Sequence, residues 1–392
     1  QGAYGVTNTA GGVAVTNDTI FEAASLTKPL FAYVVMQMVD KKLIDLDAPL
    51  LGKVPTERVE QLIGHSLDAE GFRLDWAKMI TARHVLSHSA GMPHGDGGEI
   101  YPIFFEPGTD WKYSAQGYQF LQTVVESIEG KPLEEIVDAY VLEPLGMEHS
   151  SMVWREAYEK TMANGHWLYG RPVDFRKRNQ ATAAASLYTT AGDYARFVCA
   201  VLDGTGLKPG THQEMLTSFV DMNDDGNLGW GLGFGTQIDG DRTAFWQWGD
   251  YGIFRNYVIA DPERHSGVVY LTNSFNGLTV CSELITKSIG QDALGCLDLN
   301  YMQYDSPAMA LLWDLKEKGP KGATSQLPAL VKMHPDVFTD ERVNGLAGIM
   351  ENEEMYAEAA AIYRFIAEQH PRSGDALFDL ARVSVLTGDL AN

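Results

Sequence analysis

The chain has few basic residues, few cysteines and no long apolar run, and each shortage excludes a class of protein. Lysines and arginines number 30 against 52 aspartates and glutamates, which gives a formal net charge of −22. Nucleic acids and anionic membrane surfaces attract basic proteins, so we expect neither as a partner. The apolar run at 30–39 is shorter than the roughly 18 residues of a membrane-spanning helix. Three cysteines allow at most one disulfide and lack metal-ligand spacing.

What the chain does contain is typical of a globular enzyme. Its 392 residues are enough for two or three domains. Hydrophobic residues make up 45% of the chain and include eight tryptophans, so a large core is expected and disorder is not.

A serine and a lysine three positions apart stand at the start of the apolar run. Residues with the spacing of Ser25 and Lys28 share one face of a helix, so the ammonium can reach the hydroxyl. A serine at a helix N-terminus also lies beside free backbone N–H groups, which stabilise the oxyanion formed when a hydroxyl attacks a carbonyl. The pair predicts an acyl-transfer site, although an ordinary helix cap gives the same pattern.

Further motifs follow this pair in order along the chain. They lie at 81–93, at 105–115 and at 143–147, where the sequence reads Glu-Pro-Leu-Gly-Met. With them, residues 4–297 resemble the serine β-lactamase and penicillin-binding-protein-like family, which includes class C β-lactamases, D,D-carboxypeptidases, D-aminopeptidases and esterases. The resemblance implies an α+β fold of the β-lactamase/transpeptidase type, with an antiparallel sheet flanked by helices and a helical lobe at about 40–220.

The hydrophobic pattern by itself separates helices from strands. Apolar residues recur at helical spacing in 81–87, 117–128 and 191–202. Alternation at 4–21 predicts strand and turn, and the apolar stretches at 257–260 and 267–273, joined by an Asp-Pro turn, predict a hairpin. A helical region between strands predicts two lobes with a cleft between them.

Beyond residue 299 helical periodicity takes over. Residues 343–389 align with themselves at a shift of 34, and Ala359, Tyr363 and Pro371 occupy positions typical of a tetratricopeptide repeat. One helix pair cannot bury its own apolar face, so we expect this all-α segment to dock on the rest of the chain or on a second subunit. We predict domains at 1–298 and 299–392. A homo-oligomer, a protein partner and a plain appendage are all compatible with the second domain.

The resemblance gives a tyrosine the proton-transfer role. In the family, the tyrosine of a Tyr-x-Asn motif takes the proton of the serine and returns it to the leaving group, and Tyr113 matches it. A phenol titrates near pH ~10, so Tyr113 can act as a base at neutral pH only if a cation stabilises its ionised form. Lys28 is the expected cation, and we expect the rate to rise with pH through the alkaline range.

A third family motif carries a cation, as Lys-Thr-Gly or His-x-Gly, on a strand beside the site. Counting back seven residues from Phe254 places Gln247, Trp248 and Gly249 at these positions. The cation is therefore missing, while the glycine that permits close approach of a substrate is kept.

The resemblance also implies contacts with the substrate. The backbone N–H groups of Ser25 and Asp250 would form the oxyanion hole, and the Asp250 side chain is either solvated or a substrate contact. Ala115 replaces the asparagine that binds the acyl-side amide in β-lactamases and peptidases. Trp248 and Tyr251 are candidates for lining the substrate pocket, although aromatic residues on strands also fill cores.

Two missing contacts favour an ester as the substrate. Gln247 removes the charge that attracts a β-lactam or peptide carboxylate, and Ala115 removes amide recognition. An ester needs less recognition because its leaving group departs more easily. We therefore predict a serine hydrolase that cleaves carboxylic esters through an acyl-enzyme. The alternatives are a D-amino-acid amidase or peptidase, a β-lactamase, and a catalytically silent protein that binds a partner through its helical tail.

Other features have plain interpretations. His84 and His88 have the spacing of a metal-binding pair but enclose no glutamate base, and we predict neither a metal nor a cofactor. The basic stretch at 165–178 is expected to be a solvated loop paired with nearby acids, with carboxylate binding as the alternative. Members of the family often carry a strand and a secretory leader before the point where this sequence begins, so the resemblance slightly favours a periplasmic or secreted protein.

Overall fold

The structure, a computed structural model, describes residues 1–95, 101–299 and 301–388, without the side chains of Gly322 and Ala323. The strands are β1 (Phe21–Glu22), β2 (Gly165–His166), β3 (Pro172–Val173), β4 (Tyr188–Thr189), β5 (Val220–Asp221), β6 (Leu228–Trp230), β7 (Gly235–Asp239), β8 (Arg242–Asp250), β9 (Arg255–Asp261) and β10 (Ser266–Tyr270). The helices up to residue 216 are α1 (Thr27–Asp40), α2 (Thr56–Ile63), α3 (Leu74–Ala77), α4 (Ala82–Leu86), α5 (Ala115–Glu129), α6 (Leu133–Val137), α7 (Ala191–Asp203) and α8 (Pro209–Leu216). The later helices are α9 (Cys281–Ile289), α10 (Leu294–Asp298), α11 (Pro307–Thr324), α12 (Leu327–Met333), α13 (Asp340–Asn352), α14 (Tyr356–Gln369) and α15 (Gly374–Thr387).

An antiparallel sheet of six strands forms the centre of the fold. Its order is β10-β9-β8-β7-β6-β5, so each strand pairs with its neighbour in sequence. Strands β9 and β10 form the predicted hairpin, with Tyr257 opposite Tyr270. Residues of β8 and β9 are buried on both faces, because helices of the two lobes cover the sheet.

The helical region lies between β1 and β5, as the sequence predicts. Thr81 caps α4, Ser114 caps α5 and Thr190 caps α7, each by accepting a backbone N–H of the first turn. The three helices predicted from apolar spacing are therefore confirmed, and their caps explain where they begin. The strand prediction for 4–21 is confirmed only in part: one bridge joins Val6 to Ala14, and most residues around it are exposed, so no sheet extends from it.

Helices α11 to α15 pack around an apolar cluster of their own, which also takes in Leu168 and Phe275 from the preceding part of the chain. The loop between β2 and β3 makes polar contacts with the same helices. The backbone N–H of Tyr169 donates to Glu353 at 2.7 Å, and Arg171 pairs with Glu354 at 3.2 Å. The helical tail, α11 to α15, thus docks on the preceding part of the chain, and part of the basic stretch is paired with acids.

The last helix ends at Thr387, and the predicted end at Asp389 lies outside the described residues. Among the described helices, none has the length and apolar content that crossing a membrane requires.

Candidate active site

Ser25 lies in a tight 3-10 turn, Ala24–Leu26, directly before α1. The turn is fixed from both sides: the Thr27 hydroxyl donates to the Ala24 carbonyl at 2.7 Å, and the Tyr194 hydroxyl donates to the Leu26 carbonyl at 2.9 Å. Ala24 has a φ of 50°, which a side-chain-bearing residue adopts only when its surroundings hold it there. Ser25 is partly exposed while its neighbours are buried, so the fold presents this hydroxyl to the cleft.

Lys28 is buried directly behind Ser25. Its Nζ lies 3.0 Å from the Ser25 hydroxyl oxygen and donates to the Ala184 carbonyl at 2.9 Å. Only 1% of Lys28 is exposed, and within the described residues no carboxylate pairs with it. Burial therefore lowers the pKa of Lys28 from 10.5 to about 7. At neutral pH a large fraction of the amine is uncharged and can accept a proton from Ser25.

Tyr113 lies beside the same pair. The Lys28 ammonium is 4.7 Å from the centre of its ring, and the Gln247 side-chain amide donates to its oxygen at 2.9 Å and to the Ser25 carbonyl at 3.2 Å. Burial raises the pKa of Tyr113, and hydrogen bonds with Ser25 and Gln247 oppose the rise only in part. The expected depression of this pKa is thus wrong, because desolvation outweighs the hydrogen bonds that favour the ionised form. The raised pKa keeps the Tyr113 phenol neutral at pH 7, and its oxygen accepts a hydrogen bond from Gln247.

A histidine holds the backbone next to this tyrosine. The Nδ1 atom of His88 accepts the backbone N–H of Ser114 at 3.1 Å, and its ring lies 4.3 Å from the Tyr113 ring, centre to centre. Burial lowers the pKa of His88, so the imidazole stays neutral. His84 has a different partner, since its ring accepts the backbone N–H of Thr81 in the cap of α4. Each imidazole of the candidate metal pair therefore has its own structural partner.

The C-terminal end of β8 runs past the nucleophile turn. A Cβ atom at Gly249 would lie 2.2 Å from the Ala23 carbonyl oxygen, so the approach requires glycine. Asp250 follows, and both of its carboxylate oxygens have partners: Arg255 donates to one at 3.1 Å and the Tyr301 hydroxyl donates to the other at 2.7 Å. The Asp250 side chain is thus held by partners on both oxygens while 21% of it stays exposed, and it ties the strand end to the C-terminal segment.

These residues open onto a cleft of about 590 Å³. Its lining residues are Ser25, His94, Trp111, Lys112, Tyr113, Trp248, Asp250 and Tyr301. Of the other residues predicted from the sequence, Lys28 and Gln247 lie behind the cleft and are hydrogen-bonded to its lining residues Ser25 and Tyr113. The backbone of Gly249 packs against the nucleophile turn beside the cleft. Sequence reasoning did not identify His94, Lys112 or Tyr301.

Two predicted substrate contacts lie elsewhere. Ala115 is the first residue of α5 and does not line the described cleft. The hydroxyl of Tyr251 donates to the Ala185 carbonyl, and the Arg178 guanidinium lies 4.9 Å from its ring centre. Tyr251 therefore supports the loop that also carries the carbonyl acceptor of Lys28.

Comparison with known proteins agrees with this geometry. The profile of the Beta-lactamase family matches residues 1–283. Esterase EstB of Burkholderia gladioli is 25% identical over 338 residues, which cover 69% of this chain and 82% of that protein. Penicillin-binding protein 4 of Amycolatopsis lactamdurans is 28% identical over 321 residues, covering 74% of this chain and 81% of that protein.

Solved structures share the fold. The octameric penicillin-binding protein homologue from Pyrococcus abyssi superposes with a TM-score of 0.62 at 21% identity, over 79% of this chain and 74% of that one. The predicted α+β class with a β-lactamase-like sheet is therefore confirmed. The chain is a serine hydrolase of the β-lactamase fold, and it belongs to the Beta-lactamase family.

Proposed function

We propose that the protein hydrolyses carboxylic esters through an acyl-enzyme on Ser25. The observation that carries this proposal is the buried Lys28 amine 3.0 Å from the Ser25 hydroxyl oxygen. With a pKa of about 7, the neutral amine accepts the hydroxyl proton as the oxygen attacks the ester carbonyl. The backbone N–H groups of Ser25 and Asp250 are the proposed donors to the oxyanion.

Tyr113 is the proposed donor to the leaving alcohol. The Gln247 amide donates to the phenol oxygen at 2.9 Å, which leaves the phenol hydrogen free to point toward the reacting oxygens. As the carbon–oxygen bond of the ester breaks, Tyr113 protonates the departing alkoxide, and the proton held by Lys28 restores the phenol. Water then attacks the acyl-enzyme, and the same groups move the protons in reverse.

The neutral third motif supports an ester over a charged substrate. Gln247 is fully buried and uncharged, and its amide N–H groups donate to Tyr113 and to the Ser25 carbonyl. It therefore cannot attract a substrate carboxylate by charge. Lys112 lines the cleft, but its ammonium lies 4.5 Å from the centre of the Phe104 ring. The similarity to esterase EstB supports the same choice.

The test compares Ser25→Ala with Ser218→Ala, a substitution of an exposed serine at the far edge of the sheet domain. We expect p-nitrophenyl acetate hydrolysis and a single fluorophosphonate adduct, measured by intact mass, in the wild type and in Ser218→Ala. Ser25→Ala should lose the adduct and at least about a thousandfold in kcat.

Substrate panels separate the alternatives. Cleavage of nitrocefin or of D-alanyl p-nitroanilide without cleavage of esters would overturn the ester assignment. An unmodified wild type that turns over nothing would favour the silent binding protein.

The division into domains at 1–298 and 299–392 is part of the proposal. It is supported by the separate apolar cluster of α11 to α15. Assembly into oligomers through the second domain is proposed from the similarity to the octameric homologue. Light scattering of the full chain would measure the oligomeric state.

A further inference from the structure

The carboxylate of Asp250 has three partners at the end of β8. It accepts the backbone N–H of Gly252 from the turn that follows, and the guanidinium of Arg255 on β9 donates to it at 3.1 Å. These two partners belong to the β8–β9 hairpin. The third is the hydroxyl of Tyr301, which lies between α10 and α11 and donates at 2.7 Å. The end of the strand is therefore tied to a segment outside the sheet.

Tyr301 is itself held in place, so it can anchor the strand. It packs against the apolar cluster that contains Trp248 and Tyr257, and the Arg255 guanidinium lies 5.1 Å from its ring centre. Burial, followed by the charge of Asp250, raises the pKa of the Tyr301 phenol. The phenol therefore keeps the proton that it donates, and its hydroxyl is a fixed donor.

The pairing of β8 sets the direction of the Asp250 backbone N–H. Hydrogen-bonded and non-hydrogen-bonded residue pairs alternate between antiparallel strands. The N–H of Tyr251 donates to the Phe254 carbonyl at 3.0 Å, so the N–H of Asp250, one residue earlier, points to the opposite edge of β8. In the described sheet, β7 covers that edge only as far as Trp246. Ser25 and Asp250 line the same cleft, where this N–H can receive an oxyanion.

We propose that Tyr301 is a positioning residue for ester hydrolysis, because its bond to the Asp250 carboxylate holds the Asp250 N–H where the oxyanion forms. This inference rests on the proposed function, in which that N–H is one of two oxyanion donors. Such a donor must lie about 2.7–3.1 Å from the developing charge, so a loosened strand end weakens it. Tyr301 lies outside the stretch that matches the family, at 1–283, and thereby contributes to catalysis.

The variant Tyr301→Phe removes the hydroxyl and keeps the ring. A bond to the oxyanion forms only in the transition state, so kcat and kcat/KM for p-nitrophenyl acetate should fall together, about tenfold, while KM changes less than about twofold. Complete loss of an oxyanion donor costs about a hundredfold to a thousandfold, and a misplaced donor should cost less. The pH dependence set by Lys28 should stay the same, because the partners of its amine are untouched.

Two further variants show how Tyr301 acts. Tyr304→Phe is the matched control, because Tyr304 is exposed in the same segment and does not line the cleft, and it should keep the kcat of the wild type. Asp250→Ala removes the carboxylate and keeps the backbone N–H. The double variant Asp250→Ala/Tyr301→Phe should lose no more than Asp250→Ala alone, since both changes break the same contact. A multiplied loss would mean that Tyr301 contacts the substrate directly and would overturn the positioning role.

The rate of fluorophosphonate labelling gives a readout that needs no ester, because the phosphoryl oxygen of the probe takes the oxyanion position as Ser25 attacks. Tyr301→Phe should label about tenfold more slowly than the wild type and reach the same final stoichiometry by intact mass. A lower stoichiometry would mean that the hydroxyl only supports the fold, and the proposal would be wrong.

The outcomes separate this proposal from the proposed function. Equal labelling rates and equal kcat in the wild type and Tyr301→Phe would overturn the positioning role and leave ester hydrolysis standing. A wild type that labels at Ser25 but cleaves no ester would remove the proposed function, while slower labelling of Tyr301→Phe would still support the positioning role. A wild type that neither labels nor cleaves would remove both.

Discussion

The buried position of Lys28 makes a quantitative prediction about pH. Its hydrogen-bond acceptors, the Ser25 hydroxyl and the Ala184 carbonyl, carry no negative charge that would hold an ammonium ion. Burial lowers its pKa from 10.5 to about 7 for this reason. Only the neutral amine can accept the Ser25 proton, so kcat/KM should fall as the pH drops below 7 and level off above 8.

The size of the change separates this pKa from that of an ordinary lysine. For a base with a pKa of about 7, the neutral fraction rises from about 0.24 at pH ~6.5 to about 0.97 at pH ~8.5, which is about fourfold. An unperturbed lysine would give about a hundredfold rise over the same interval. The assay is kcat/KM for p-nitrophenyl acetate from pH 5.5 to 9.5, corrected for spontaneous hydrolysis.

A rate that keeps rising tenfold per pH unit above pH 8 would refute the reasoning. It would restore the alkaline profile that the sequence alone suggests. His94 also lines the cleft, and burial followed by the charge of Lys28 lowers its pKa. The variant His94→Gln should therefore keep the inflection near pH 7, which assigns that inflection to Lys28.

Further predictions concern β8. Gln247→Leu removes the hydrogen bonds to Tyr113 and to the Ser25 carbonyl. The kcat for p-nitrophenyl acetate should therefore fall about tenfold to a hundredfold, with an unchanged circular dichroism spectrum. An unchanged kcat would show that Tyr113 acts without the hydrogen bond from Gln247. Gly249→Ala forces a Cβ atom toward the Ala23 carbonyl and should lower stability by about 1–3 kcal/mol in a urea titration, whereas Gly210→Ala, with open space around it, should change it far less. Equal stability of the two variants would contradict the close approach.

Much of the prediction of fold and site depended on local sequence patterns. The spacing of Ser25 and Lys28 is a property of one helical turn, and the hairpin at 255–270 follows from two apolar stretches and an Asp-Pro turn. Such features need only near neighbours in sequence, so they can be read from the sequence. The resemblance to the family predicted the strand of Gln247 beside the nucleophile, but not the hydrogen bond from Gln247 to Tyr113.

Features that depend on distant packing could not be read in this way. The direction of the Tyr113 pKa shift depends on how much solvent the folded chain excludes, and no local pattern reports that. Tyr301 is held at the cleft by a hydrogen bond from its hydroxyl to Asp250, which lies 51 positions away in the sequence. Tyr251 was expected in the pocket from its place after the motif, but the turn at Gly252, with a φ of 77°, follows it and its hydroxyl meets Ala185 instead.

The hydrogen bond between Tyr301 and Asp250 has a consequence for how such an enzyme can diversify. Tyr301 lies after residue 283, where the match to the family ends, yet it forms one wall of the catalytic cleft. The cleft that holds Ser25 is therefore completed by a side chain from outside the stretch that matches the family. A change at Tyr301 alone would reshape one wall of the cleft while Ser25, Lys28 and Tyr113 keep their places.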